Sequence, residues 1–242
     1  VAQSAIDYVP IVTTAVAAGF AVVLWRHWRR NPQRYLLWWA LGVTLYGLGT
    51  LTEATTTLVG WNESIFRLWY VAGALLGGAP LAQGTVYLLL KRRTADRLTI
   101  ALVTYVGIAA ACVLATPVDA ALGGDRLTGR VMTWSWVRLF SPVVNLYAFV
   151  FLVGGAAWSA WRYRGRGDRT SARVTGNALI AVGALLPGIG GTFTRLGHVE
   201  VLYATELVGL ALIWLGYRTI VADTGRSIHT TQQRPVAVQQ AS

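Results

Sequence analysis

Two ionisable side chains stand inside stretches that otherwise hold no charge. Glu53 lies in Gly49-Thr50-Leu51-Thr52-Glu53-Ala54, and Glu206 lies in Leu202-Tyr203-Ala204-Thr205-Glu206-Leu207. Placing a carboxylate in a membrane span costs a few kcal/mol by insertion scales, so each such residue marks a site to be explained. Two carboxylates at one depth could hold a cation, a proton or the polar head group of a ligand. They could also each take an arginine and lock neighbouring helices together. Arg67, Arg195, His198, Tyr70 and Tyr203 fall at the matching level. The ligand-binding set read from the sequence is therefore Glu53, Glu206, Tyr203, Tyr70, Arg67 and Arg195. Carboxylates alone do not define catalysis, which needs a geometry that spacing cannot supply.

Other polar groups sit at similar or greater depth. Thr50, Thr52, Thr55, Thr56 and Thr57 surround Glu53, while Gln83, Asn145 and Asn177 add amides elsewhere. Hydroxyls and amides in spans bond back to their own helix or across to a neighbour. Two stretches carry helix breakers: Gly73-Ala74-Leu75-Leu76-Gly77-Gly78-Ala79-Pro80 and Gly183-Ala184-Leu185-Leu186-Pro187-Gly188-Ile189-Gly190-Gly191. A proline inside a helix removes a donor and bends it.

Several chemistries have no carrier. The one lysine, Lys91, lies between apolar runs, so no span can form a retinal Schiff base. His27, His198 and His229 stand at or beyond span ends, which excludes a bis-His haem between helices and leaves no buried metal cluster to expect. Cys112 is alone, so no intrachain disulfide forms. No nucleophile elbow, Walker loop or paired-His helix is present, so no cofactor is expected and nothing argues for an enzyme.

The elements that must position the two carboxylates follow from composition. Of 242 residues, 55% are hydrophobic and only 13% charged, and the charges are confined to islands between apolar runs. An all-α polytopic membrane protein is the fold class, with spans near 8–25, 35–59, 67–90, 98–116, 139–161, 174–194 and 200–218. Each is long enough for a hydrocarbon core that takes about 20 helical residues. The runs do not alternate in period two, which argues against barrel strands. The seven-helix domain covers 1–221, and the polar segment 222–242 reads as a disordered cytoplasmic tail. No cleavable signal peptide is evident, because the basic cluster follows the first apolar run rather than preceding it.

Charge sets the orientation. With the N-terminus outside, Arg26, Arg29, Arg30, Arg34, Lys91, Arg92, Arg93, Arg97, Arg162, Arg164, Arg166, Arg169, Arg173, Arg218, Arg226 and Arg234 all fall inside. Arg67, Arg126, Arg130, Arg138 and Arg195 remain outside. Sixteen against five is a strong positive-inside bias, so the N-terminus is out and the C-terminus in. The net charge of +11 is then topological, and nucleic acid is not the partner. The eleven tryptophans cluster at the two span boundaries, where an indole favours the interface.

Glu53 and Glu206 both fall roughly 8–9 Å below the outer boundary at 1.5 Å rise per residue. The one long loop, Pro117–Arg138, alternates in period two over Val131–Val137, which suggests a short strand or interfacial segment acting as an anchor or a lid. A parallel 3+1+3 repeat is also legible. Trp25-Arg26-His27 answers Trp161-Arg162-Tyr163, and Gly49-Thr50-Leu51-Thr52 answers Gly191-Thr192-Phe193-Thr194. Chance likeness between apolar segments accounts for these matches equally well.

The segments Arg67-Leu68-Trp69-Tyr70-Val71-Ala72-Gly73, Gly190-Gly191-Thr192-Phe193-Thr194-Arg195-Leu196-Gly197 and Leu202-Tyr203-Ala204-Thr205-Glu206-Leu207-Val208-Gly209 resemble prokaryotic seven-helix integral membrane proteins. They are loosely similar to the seven-helix sensor modules that precede bacterial histidine kinases, although this chain carries no signalling domain after span seven. The resemblance implies the fold and ligand sensing, and assigns no residue roles. The Asp-Arg-Tyr and Asn-Pro-x-x-Tyr marks of class A receptors are missing. Three functions fit: a sensor-like binding protein with an outward pocket for a small molecule or lipid, a small-solute transporter, or an accessory subunit docking a membrane-protein partner. The expected location is a prokaryotic plasma membrane, with the lipid bilayer as the constant partner.

Overall fold

Continuous apolar runs between arginine islands form helices because lipid offers no hydrogen bonds, so the backbone must satisfy itself within each segment. The computed structural model describes residues 5–122, 127–163 and 171–232, without the side chains of 171, 195 and 224–232. Among the described residues every regular element is helical. The α-helices are α1 (Val9–Arg30), α2 (Arg34–Val59), α3 (Glu63–Trp69), α4 (Ala79–Leu89), α5 (Arg92–Ala115), α6 (Phe140–Ala148), α7 (Gly155–Tyr163), α8 (Ser171–Arg195) and α9 (Val199–Gln232). A π-helical turn over Tyr70–Leu75 leads from α3 towards α4, and another over Phe149–Gly154 joins α6 to α7.

Among the described residues six helices are long and apolar enough to cross a membrane: Ala5–Arg30, Glu63–Leu89, Arg92–Ala115, Ser135–Tyr163, Ala172–Thr194 and Val199–Asp223. The 26-residue α2 lies among them, but Trp38, Trp39, Tyr46 and its threonines dilute its apolar character.

The helices close a ring. α1 packs on α2 and α9, α2 on α4, α4 on α6 and its π-turn, α7 on α8, and α8 on α9. Its interior is filled by Ala17, Phe20, Leu24, Val43, Leu81, Leu152, Ile180 and Leu210, contributed from all sides. A void of about 20 Å³ remains beside Phe20, Trp39, Ile213 and Tyr217. α5 stands outside the ring, against α4 and the Tyr70–Leu75 turn, and turns Ile100, Val103, Ile108 and Leu114 outward.

α8 and α9 form the tightest pair, and glycine is the reason. Gly176, Gly183 and Gly190 recur every seven residues, as do Gly209 and Gly216 on the facing helix. A Cβ on Gly183 would lie 2.5 Å from the Gly209 carbonyl oxygen, and one on Gly209 would lie 2.6 Å from that of Gly183. Gly216 meets the Gly176 carbonyl in the same way, so the two backbones touch along an antiparallel register. A seven-residue repeat keeps that seam facing its partner. Pro187 removes the N–H that would bond the Gly183 carbonyl, and its ring packs on Gly209. The helix therefore continues through the proline. The hairpin between them closes at Gly197, whose φ of 99° suits a residue without a side chain.

The structure departs from the sequence reading at several places. α9 is helical to Gln232, through the first part of the segment expected as a tail, because no proline interrupts it; residues 233–242 lie outside the described residues. The breakers near Gly73–Pro80 do interrupt the third apolar run, whereas those of α8 do not. Val131–Val137 forms no strand. It makes one isolated bridge, Val118 to Met132, between 3-10 turns at Gly129–Val131 and Ser135–Leu139. Val131, Met132 and Val137 bury themselves with Phe66, Tyr70 and Val113, so this loop covers the α3–α5 side of the bundle. Trp134 and Trp136 stack beside it and stay exposed, as an interfacial anchor would. Inner cations Arg164, Arg166, Arg169 and Arg234, and outer Arg126, lie outside the described residues.

Candidate functional site

The site begins with a close approach of two backbones. A Cβ on Gly49 would lie 2.9 Å from the Gly73 Cα, so α2 and the Tyr70–Leu75 turn touch without intervening side chains. Glu53 is one helical turn beyond Gly49, and Trp69 is one turn before Gly73. The contact thus brings the Trp69 indole onto Glu53, where Nε1 donates to Oε1 at 2.9 Å. Glu53 is only 4% exposed.

α9 supplies the second carboxyl. Glu206 lies within hydrogen-bonding reach of Glu53. The Oε2 atoms of both residues are shielded from solvent and accept no hydrogen bond from the described residues. Tyr46, two turns before Glu53 on α2, donates its hydroxyl to the Glu206 backbone oxygen at 3.0 Å and so pins α9 to α2 beside the pair. Among the described residues no lysine, arginine or histidine forms an ion pair with either glutamate. Facing carboxyls of this kind can hold a proton or clasp a positively charged group.

The threonines around Glu53 are occupied locally. Thr52 donates to Gly49 O, Thr56 to Thr52 O and Thr57 to Glu53 O, while Thr50 bonds Thr14 at 3.0 Å and ties α1 to α2.

The remaining residues singled out from the sequence are placed as follows. Arg67 is turned away from Glu53. Its guanidinium bonds Glu63 and the carbonyls of Val113, Leu114 and Thr116, the unsatisfied C-terminal carbonyls of α5. Tyr70 is buried against Phe66 and Trp69 in the cluster beneath the long loop. Tyr203 is half-buried on α9, three residues before Glu206, and His198 is exposed in the α8–α9 turn. The side chain of Arg195 lies outside the described residues. Trp69 and Tyr46 are the two contributors that spacing alone did not single out. The signal for Trp69 was its four-residue distance from Gly73, one member of a small-residue contact.

A second polar group runs through α4, α5 and α6. Gln83, fully buried, donates to Ala95 O at 3.2 Å and Thr99 Oγ1 at 2.8 Å, and accepts from Tyr147. Tyr87 donates to Asp96 at 2.7 Å, and Asp96 pairs with Arg34. Tyr87 and then Asp96 push the Arg34 guanidinium further above its usual range, so it stays charged. Arg34 and Tyr87 border a recess of about 340 Å³ also lined by Gln33 and Arg92. Both ends of the Gln83 amide have partners, and this network reads as structural.

No family model, curated protein or solved structure matches the chain. The functional reading therefore rests on the chemistry of the carboxyl pair.

Proposed function

We propose that this chain is a seven-helix, sensor-like binding protein of a prokaryotic plasma membrane, with its N-terminus outside and a polar pocket at Glu53 and Glu206 reached from the outer side. One observation carries the reading: the carboxyls of buried Glu53 and half-buried Glu206 come together from different helices, and one oxygen of each receives no donor from the described residues. A pair serving only to lock helices would bring its own cation, as Arg34 of α2 does for Asp96 of α5. The seventh span is α2, whose 26 residues reach about 39 Å at 1.5 Å per residue, beyond the ~30 Å core. The positive-inside bias supports the orientation. The cationic inner face would meet anionic lipid head groups or a membrane-protein partner.

Native mass spectrometry of gently purified protein tests this reading. A small molecule or lipid retained by the wild type and lost from the E53Q/E206Q variant supports it. The same ligand and partner retained at the same occupancy in the variant would overturn it.

A second reading, a small-solute transporter built on a 3+1+3 repeat, is favoured by the ring. The contacts of spans 1–2, 2–3 and 3–5 are answered by those of 5–6, 6–7 and 7–1, with α5 standing outside as the linker would. The filled apolar interior opposes an open path. Proteoliposomes that stay sealed and unresponsive across a broad solute panel would reject it.

A further inference from the structure

We infer that Glu53 and Glu206 together form a proton-binding site, holding one shared proton whose gain or loss is transmitted to Trp69. This rests on the reading of the pair as the ligand site and names the proton as its ligand.

The geometry leaves few ways to satisfy the pair. Each Oε2 is buried and receives no hydrogen bond from the described residues, yet the two carboxyls are within hydrogen-bonding reach. Two carboxylates in contact repel, and burial removes the water that would screen them. A single proton resolves this, with the carboxyl O–H of one residue donating to the carboxylate oxygen of the other. Among the described side chains near the pair none supplies a substitute. Tyr46 directs its hydroxyl to the Glu206 backbone, and Trp69 reaches only Oε1 of Glu53. The other titratable groups at the same end of the packed elements are Asp7 and Tyr8 before α1, Glu63 and Arg67 on α3, Tyr70 on the π-turn, and Glu200 and Tyr203 on α9, with the Arg195 side chain of α8 outside the described residues; His27 of α1, Tyr87 of α4, Arg173 of α8 and Tyr217 of α9 lie towards the opposite end. Arg67 is held by Glu63 and the α5 carbonyls.

The exchange involves only protons. Adding H⁺ from outer water to the singly protonated pair gives two neutral acids. Removing the shared H⁺ to water leaves two carboxylates. The Trp69 N–H bond to Glu53 is charge-assisted when Glu53 is ionised and weaker when it is protonated. Trp69 is the last residue of α3, and the π-turn starts at the next residue. Such turns are short departures from α-helical register and are frequent at functional sites. The proton count is thus read at the joint between α3 and α4.

Infrared difference spectroscopy of the full chain in nanodiscs tests the site directly. The wild type at neutral pH is expected to show a carboxylic-acid C=O band that shifts in D₂O and is missing from E53Q, E206Q and E53Q/E206Q. Glutamine mimics the protonated acid, so the single variants keep the contact and guard against a double variant that fails to fold. No acid band in the wild type, or an unchanged band in the single variants, overturns the shared proton. On titration, an indole N–H Raman signal assigned by its loss in W69F is expected to follow the band. An indole signal that stays constant while the band titrates overturns the transmission to Trp69. Loss of the acid band with no change in any co-purified ligand would sink the pocket reading while leaving the proton site standing.

Discussion

Substituting Gly49 by alanine tests whether the α2 contact with the Tyr70–Leu75 turn builds the site. The added Cβ would start 2.9 Å from the Gly73 Cα and 3.3 Å from the Gly73 nitrogen, both backbone atoms that cannot rotate away. Carbon pairs rest at about 3.5–4.0 Å, so the two segments must separate by roughly 0.6–1 Å. Trp69 is carried by the displaced segment and Glu53 by α2, so the shift acts on their 2.9 Å bond. Lengthened by that amount, the bond reaches or passes 3.5 Å, where it ceases to count as one. Overpacking of this kind typically costs about 1–3 kcal/mol. G49A is therefore expected to lower the thermal unfolding midpoint in detergent and to abolish the hydrogen-bonded indole signature assigned by W69F. Both changes are expected although neither Glu53 nor Trp69 is altered. An unchanged indole signature in G49A would refute the claim that this contact positions Trp69.

Three further outcomes follow from the packing. R67M removes the bonds from a side chain only 18% exposed to the C-terminal carbonyls of α5, and is expected to cost about 2–4 kcal/mol. Hydrogen exchange at Val113–Thr116 should rise with it, and unchanged protection there would count against the clamp. G183V forces α8 from α9 at backbone atoms 2.5 and 3.0 Å away, whereas G188A meets nothing within 4 Å. The first should lower the unfolding midpoint markedly and the second hardly at all; equal effects would deny the glycine seam. Q83L leaves the Tyr147 and Thr99 hydroxyls without their amide partner, a loss of about 1–3 kcal/mol measurable by chemical unfolding.

The helical class and the membrane-crossing character were legible in the sequence because both are local. Runs such as Leu68–Leu90 have one way to satisfy their backbone in lipid, and Gly73–Pro80 marks its own interruption. Glu53 and Glu206 were legible as anomalies for the same reason, since their cost depends only on depth. The seam of α8 and α9 was not read from the seven-residue spacing of Gly176, Gly183 and Gly190, because spacing alone does not say which helix receives it. Span periodicity reports which residues share a face, and leaves the neighbour of that face open.

What the tertiary structure decided was partnership. It set Glu53 against Glu206, turned Arg67 from a presumed counter-ion into a cap for α5, and chose Trp69 from eleven tryptophans as the indole that reaches the pair. Each choice depends on how closely two backbones approach, as Gly49 and Gly73 do, and such distances arise only when helices far apart in the chain pack together.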